Sequence, residues 1–381
     1  MNHRNSFFKY FLVILELIVY FYIKVPKIGL QIYPNIPLKS TSYYSKRTNK
    51  LIKKQILIGE LIKIFSDLYD YSRNGYRRPI YSNISNKYAY KGKNINICIC
   101  TIGKNENLYA KEFAEYYYNL GIDKIIIYDN NDIEGENFED ILSDYIKIKF
   151  IEIIDVRGLS SIQIPIYNYC YRKNKLFYDW IGFLDFDEYL NIINNNSIKS
   201  FFYKKRFCKC QAILFNLVFY NDNNLIEYEN VDLNKRFTNL TFYSSMVKSF
   251  VRGSIQNIAI PTTHLPGINV FSYCNSKGEF IYPNSFIPHL LEKNPEAYIK
   301  HFYSKTVKEF CFKLQKSNAH FHKKHHKYNT ILKEKIKLFF KLNEMTKEKI
   351  KILEKCSNKK LNDLNLSILN VSRKNIIKLQ N

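Results

Sequence analysis

An α/β fold of parallel βαβ units, with helices on both faces of the sheet, is predicted by three observations. From residue 95 onward, short apolar runs alternate with longer amphipathic segments. The runs ICICTI, KIIIYD, IEIID and WIGF are continuous rather than alternating, as strands covered on both faces are. Three of these strands run into an acid: Asp129, Asp155 and Asp185. Open α/β sheets bind ligands outside the carboxyl ends of their strands, so these acids lie where a ligand would sit.

The elements follow in order. Residues 1–24 form an N-terminal hydrophobic segment, Phe11 to Ile23, flanked by Arg4, Lys9, Lys24 and Lys27. Read as a single-pass anchor over residues 7–23, it is short against the ~20 residues a bilayer needs. Glu16 near its centre adds a cost of ~2–3 kcal/mol, and a peripheral amphipathic helix is the alternative. No A-x-A cleavage signal follows. Residues 25–94 read as a stem: KVPKIGLQIYPNIPLK carries three prolines, SKRTNKLIKKQ is basic, and ILIGELIKIFSDLYDY has helical periodicity. Residues 95–318 carry the regular pattern. INICICTI is a strand, NLYAKEFAEYYYNLG a helix with Asn107 as N-cap and Gly121 as its stop, and KIIIYD a second strand. NFEDILSDYIK is a helix, IKFIEIID a strand, SSIQIPIYNYCYRKNK a helix with Pro165 in an early turn, and WIGFLDF a fourth strand. QAILFNLVFY and SMVKSFV are later strands, and residues 319–381 form a helical basic tail ending in KEKIKLFFKLNEMTKEKIKILEK.

Composition narrows the function classes. With 46% hydrophobic residues, 32 Tyr and 28 Phe among 381, the chain has ample material for a core and is not disordered. The net charge of +24 invites a nucleic-acid reading, but the excess is spread along the chain and accompanies a general Lys, Asn, Ile and Tyr bias. An acidic membrane surface or a phosphate-bearing substrate explains it as well. The eight cysteines include two C-x-C pairs, Cys98 with Cys100 and Cys208 with Cys210, which read as small buried hydrophobes with free thiols. Zinc-ligand spacing is absent. The His320, His322, His325, His326 cluster sits in a basic stretch and reads as solvated surface. Five N-x-S/T sequons, beginning at Asn83 and Asn195, match an Asn-rich composition and set no location.

The stretch FLDFDEYL holds the chemistry. In an extended segment Asp185 and Asp187 share a face, while Phe186 and Glu188 point the other way. Neighbouring carboxylates repel unless a cation or a proton intervenes. Mg²⁺ or Mn²⁺ is held by one or two carboxylates plus phosphate oxygens, so a D-x-D at a strand end suits a metal–diphosphate.

The surroundings make this specific. Cys100 with Lys104, Asn105 and Glu106, then Gly121 and Asp123, then Tyr128, Asp129 and Asn130, then Gln163, then Trp180 through Tyr189 stand in one order. That order resembles glycosyltransferase family 92 and its family 2-like bacterial relatives. HFYSKTVKEFCFK extends the resemblance through His301, Lys305, Glu309, Phe310 and Lys313. Departures fall between residues 216 and 237: FNLVFYNDNN and NKRF lack the family's glycine-bearing turn, and Lys235 stands where Glu is common. This is where acceptor contacts are expected.

The resemblance implies the GT-A fold, a Rossmann-like mixed sheet of nucleotide-diphospho-sugar transferases. It implies transfer of a hexose, galactose as the first choice, from a UDP-sugar to a glycan on a glycoprotein, glycolipid or polysaccharide. The reaction would be inverting and dependent on Mn²⁺ or Mg²⁺. Asp185, Asp187 and His301 are the expected metal ligands. Lys104, Asn105, Glu106, Asp129, Asn130, Gln163 and Lys305 are expected at the donor nucleotide, with Lys313 also offsetting diphosphate charge. Asp187 and Glu188 are the expected catalytic carboxylates. The expected location is a membrane, by the N-terminal anchor: Golgi or ER in a eukaryote, the cytoplasmic face in a bacterium. Two rivals remain. A basic nucleic-acid or membrane-surface binding protein with an inactive GT-A-like core is one. A nucleotidyltransferase is the other, and it would want a Gly-rich loop where TIGKNEN offers only Gly103.

Overall fold

A computed structural model describes residues 95–315 except for short stretches at 160–161, 195–196, 267–272 and 282–290 and positions 254, 256, 257, 259 and 261. It also describes residues 328–357 and positions 57, 58, 60, 61 and 64. In chain order the elements are β1 (Ile97–Gly103), α1 (Asn107–Leu120), β2 (Lys124–Asp129), α2 (Phe138–Ile141), α3 (Ser143–Lys147), β3 (Ile151–Asp155), α4 (Gln163–Asn174) and β4 (Trp180–Phe183). Then come β5 (Glu188–Ile192), α5 (Ile198–Phe202), β6 (Ala212–Tyr220), α6 (Leu233–Arg236), β7 (Leu240–Arg252), β8 (Tyr273–Cys274) and β9 (Phe280–Ile281). The chain continues through β10 (Ala297–His301), α7 (Val307–Gln315), α8 (Tyr328–Leu342) and α9 (Lys347–Ser357).

The sheet is mixed, in the order β3-β2-β1-β4-β7-β6-β10-β5, with β8 beside β6 and β9 beside β8. Strands β3, β2, β1 and β4 are parallel, and β7 runs antiparallel to both β4 and β6. Register places the strand ends level: Gly103 pairs with Asp129, and Asp129 with Asp155. One face is covered by α1 with α2, the other by α4, and each forms its own buried cluster. Alternation within a strand divides the residues: Ile97 and Ile99 go to one cluster, Cys98 and Cys100 to the other. Leu57, Ile58 and Leu61, from the stretch with helical periodicity, are buried in the α4-side cluster.

Several elements depart from their sequence expectation. Helix α1 starts one residue earlier than a cap at Asn107 would require: Glu106 holds the cap position without a side-chain bond. Its end follows the expectation, since Gly121 takes φ +93 and donates back to Tyr117 and Tyr118. NFEDILSDYIK breaks into two short helices around Leu142, and the basic tail breaks around residues 343–346. The tail helices α8 and α9 pack on α7 through Phe310, Leu314, Ile336, Phe339 and Leu353.

The cysteine expectation also needs correction. Cys100 bonds to Cys170 of α4, and Cys210 to Cys274, closing loops 70 and 64 residues apart. Closing loops of this length stabilises by about 4 kcal/mol each. Cys98 and Cys208 keep free thiols.

The membrane location is corrected as well. No helix among the described residues is long and apolar enough to cross a membrane, so a single-pass N-terminal anchor has no support. Residues 7–23, the His320–His326 cluster and the sequon asparagines 83 and 195 lie outside the described residues.

Candidate active site

The D-x-D turn owes its shape to the residue between the two acids. Strand β4 stops at Phe183, and residues 185–187 turn before β5 begins at Glu188. Phe186 leaves the turn inward, 5.0 Å from the Phe113 ring and stacked 5.2 Å from Phe138. Gly103 makes this possible, because a Cβ there would lie 2.5 Å from Phe186 and 2.7 Å from Phe138. The anchored ring holds Asp185 and Asp187 at the carboxyl edge of the sheet.

Asp185 is the more open acid, its side chain 37% exposed. Its Oδ1 accepts from Gln163 Nε2 at 3.1 Å and Tyr167 OH at 3.3 Å, and its Oδ2 from Lys248 Nζ at 2.9 Å. Burial works to raise this carboxyl, but the Lys248 ammonium outweighs it and the group is held below the ordinary range. Asp187 is 11% exposed. Lys313 Nζ donates to its Oδ2 at 2.9 Å, Lys305 Nζ lies 3.9 Å from the same oxygen, and His301 Nε2 is 3.6 Å from Oδ1. Against burial, Lys313, Lys305 and His301 hold this carboxyl far below its usual value.

Glu188 lies behind the turn and shares Lys248 with Asp185. Its Oε2 accepts from the Asp185 backbone N–H at 2.9 Å and meets Lys248 Nζ at 3.0 Å, with the side chain closed off from solvent. Burial, reinforced by Asp185 and Asp187 and opposed by Lys248, pushes its carboxyl up to about 8. His301 stands opposite Glu188 in the β10–β5 pairing and packs 4.9 Å from the Phe219 ring. Burial lowers it to about 3, so the imidazole is neutral at physiological pH.

Lys305 occupies a strained position. Its backbone is left-handed at φ +51, which a non-glycine residue adopts only when its surroundings enforce it. The ammonium sits 3.6 Å over the Tyr109 ring and 3.7 Å from Glu106 Oε2. Lys313 Nζ lies 4.0 Å over the Tyr303 ring and also donates to the Tyr303 carbonyl at 3.2 Å.

Of the residues expected to act together, Gln163, Asp185, Asp187, Glu188, His301 and Lys305 converge, with Glu106 touching through Lys305. The others gather one strand away. Lys104 pairs with Asp132 at 2.6 Å, and the Asn105 N–H, at φ +52, donates to Asn131 Oδ1 at 2.6 Å. Asp129 is buried, accepts from the Asn131 N–H at 3.0 Å, and is raised by that burial. The Asn130 amide is committed to the Val156 and Leu159 carbonyls at 3.1 and 2.7 Å. Lys248 and Tyr167 were not anticipated. The signal for Lys248 was present: a lone charge inside SMVKSFV, a run otherwise uncharged, needs a partner if it is buried.

The chemistry of the donor set bears on the expected divalent ion. Three of the four oxygens of Asp185 and Asp187 accept hydrogen bonds from the chain, and the fourth, Asp187 Oδ1, lies 3.6 Å from His301 Nε2. Among the described residues no three His, Cys, Asp or Glu side chains converge where an ion could sit. His301 Nδ1 is a buried nitrogen without a hydrogen-bond partner, but one lone pair does not make a site. Three ammonium groups, Lys248, Lys305 and Lys313, lie within 4 Å of these carboxylates and already serve as their counter-charges. The arrangement does not fit a divalent metal.

The family described as glycosyltransferase family 92 matches residues 93–380. A family 92 protein of Ricinus communis is 27% identical over 96 residues, 25% of this chain and 17% of that protein. One of Oryza sativa subsp. japonica is 25% identical over 110 residues, 29% of this chain and 18% of that protein. The aligned stretches thus span less than a fifth of those relatives' length. Among solved structures, S. aureus TarS 1-349 is 11% identical with a TM-score of 0.34, over 72% of this chain and 74% of that one. The same protein in complex with UDP-GlcNAc gives 12% and 0.31, over 71% and 80%. The family match covers the sheet, the D-x-D turn and the HFYSKT segment alike, and the chain belongs to glycosyltransferase family 92.

Proposed function

We propose that the chain transfers a hexose from a UDP-sugar to a hydroxyl of a glycan acceptor, with inversion at the anomeric carbon. The observation that carries this reading is the convergence of Asp187, Lys305 and Lys313 at the carboxyl edge of the sheet in a family 92 chain. Cationic groups there suit a diphosphate, and a crevice outside the strand ends suits a nucleotide.

In the proposed step the acceptor oxygen bonds to the anomeric carbon as the bond from that carbon to the β-phosphate oxygen breaks. The electron pair leaves with UDP, which gains one negative charge. The acceptor proton passes to a carboxylate, and Asp185 is the exposed one of the three. Glu188, sealed against Lys248 and the Asp185 N–H, positions the turn instead. Gln163 and Tyr167 orient Asp185.

The test is UDP release from a panel of UDP-hexoses, UDP-galactose first, with oligosaccharide acceptors and NMR of the product anomer. Turnover of at least one donor with inverted product supports the reading. Retention, or no UDP binding and no turnover with any donor, overturns it.

A further inference from the structure

Resting on that reading, we infer that Lys305 and Lys313 supply the positive charge that draws the diphosphate in and stabilises its departure, in place of a bound divalent ion. Both ammonium groups reach one carboxylate oxygen, Asp187 Oδ2, from 2.9 and 3.9 Å. Asp187 therefore fixes their position, as it would fix a metal. Each is also seated on an aromatic face, Lys313 on Tyr303 and Lys305 on Tyr109. An aromatic seat orients an ammonium without cancelling its charge.

Lys313 has the geometry for the direct contact. An ammonium carries three N–H donors. One goes to Asp187 and one to the Tyr303 carbonyl, which leaves a third for a phosphate oxygen, and the side chain is one-quarter exposed. Lys305 is nearly enclosed and held by a left-handed backbone, so it contributes a fixed charge behind the contact. Lys248 plays a different part: it is buried between Asp185 and Glu188, and Lys305 also meets Glu106 at 3.7 Å, so Lys313 is the ammonium directed at the crevice. The inference concerns only the charge on the leaving group. The bonds made and broken are those of the transfer step above.

The experiment is UDP binding by calorimetry and UDP-hexose turnover, each in EDTA and again with Mn²⁺ or Mg²⁺. Both are measured for the wild type, Lys313→Met and Lys313→Arg. Binding and turnover in EDTA within about threefold of the metal-containing values are expected. Lys313→Met should weaken UDP at least tenfold while leaving uridine, which lacks the diphosphate, within about twofold. Lys313→Arg should recover most of the UDP affinity, which separates loss of charge from loss of fold. Binding and turnover that vanish in EDTA and return with Mn²⁺ overturn this inference and leave the transferase reading standing. So does a Lys313→Met protein that binds UDP as the wild type does. Failure to bind UDP or turn over any donor in either buffer removes the transferase reading, and this inference with it.

Discussion

Helix α7 and the turn before it serve two buried charge clusters built from the same chemistry. On one side Glu309 meets Arg236 at 2.8 and 3.1 Å, takes the Tyr109 hydroxyl at 2.7 Å, and closes a reciprocal capping box with Thr306. On the other, Lys313 and Lys305 face Asp187. The Glu309 cluster is closed: every oxygen is satisfied, both partners are enclosed, and the geometry is bidentate. The Asp187 cluster has two lysines on one carboxylate oxygen, a strained backbone at Lys305, and a lysine partly open to solvent. Buried charge therefore does not by itself identify a site; charge left partly open at the sheet edge does. The two clusters also touch. Tyr109 gives its hydroxyl to Glu309 and its ring face to Lys305, so the closed cluster braces the open one.

Breaking the closed cluster should have the largest effect on the fold. Glu309→Ala leaves the Arg236 guanidinium enclosed without its partner, a change that costs about 3–5 kcal/mol. Equilibrium unfolding should show that loss, while turnover per folded molecule, measured below the transition, stays within tenfold of wild type. Equal losses in both measurements would make the two clusters one unit and dissolve the contrast.

Breaking the open cluster should do the reverse. Asp187→Asn keeps the shape and removes the charge that positions Lys305 and Lys313. Turnover should fall ~10²–10³-fold, the range for losing one preorganised electrostatic group. Lys313 can turn to solvent, so the melting temperature should drop less than in Glu309→Ala. A variant with near-normal turnover would remove Asp187 from the machinery.

The residues that make this contrast were unequally visible in the sequence. KIIIYD coincides with β2 because an apolar run bounded by a charge at each end has little freedom in its limits. The T-x-x-E of TVKE announces the capping box from local spacing alone. The end of β4 was not legible. Where the chain turns depends on Phe186 finding Phe113 and Phe138, which come from elements far away in sequence. The disulfides escaped for the same reason: C-x-C spacing says which face two thiols share and nothing about partners 64 or 70 residues off. Lys248 could be recognised as a charge in need of an acid, but which acid follows only from β7 lying beside β4.

The smallest predicted effect separates the carboxylates by pH. Folded Glu188 sits near 8 against 4.5 for the free side chain, so between those values the folded chain keeps a proton that the unfolded chain releases. That stability is complete below 4.5 and is lost as pH rises through 8. His301 and His264 act with the opposite sign. Burial holds them near 3 and near 4, so below 6.5 the unfolded chain binds protons that the folded chain refuses. Their stability is present above 6.5 and is lost as pH falls toward 4 and then 3. From 4.5 to 6.5 the two effects oppose each other, and from 6.5 to 8 Glu188 acts without the histidines. Urea midpoints measured across the upper window should therefore fall with pH in the wild type and stay level in Glu188→Gln, since glutamine cannot lose the proton. A midpoint that falls equally in both proteins would show that Glu188 stays ionised beside Lys248, and the acid sealed behind the turn would then be a second closed ion pair like Glu309 with Arg236.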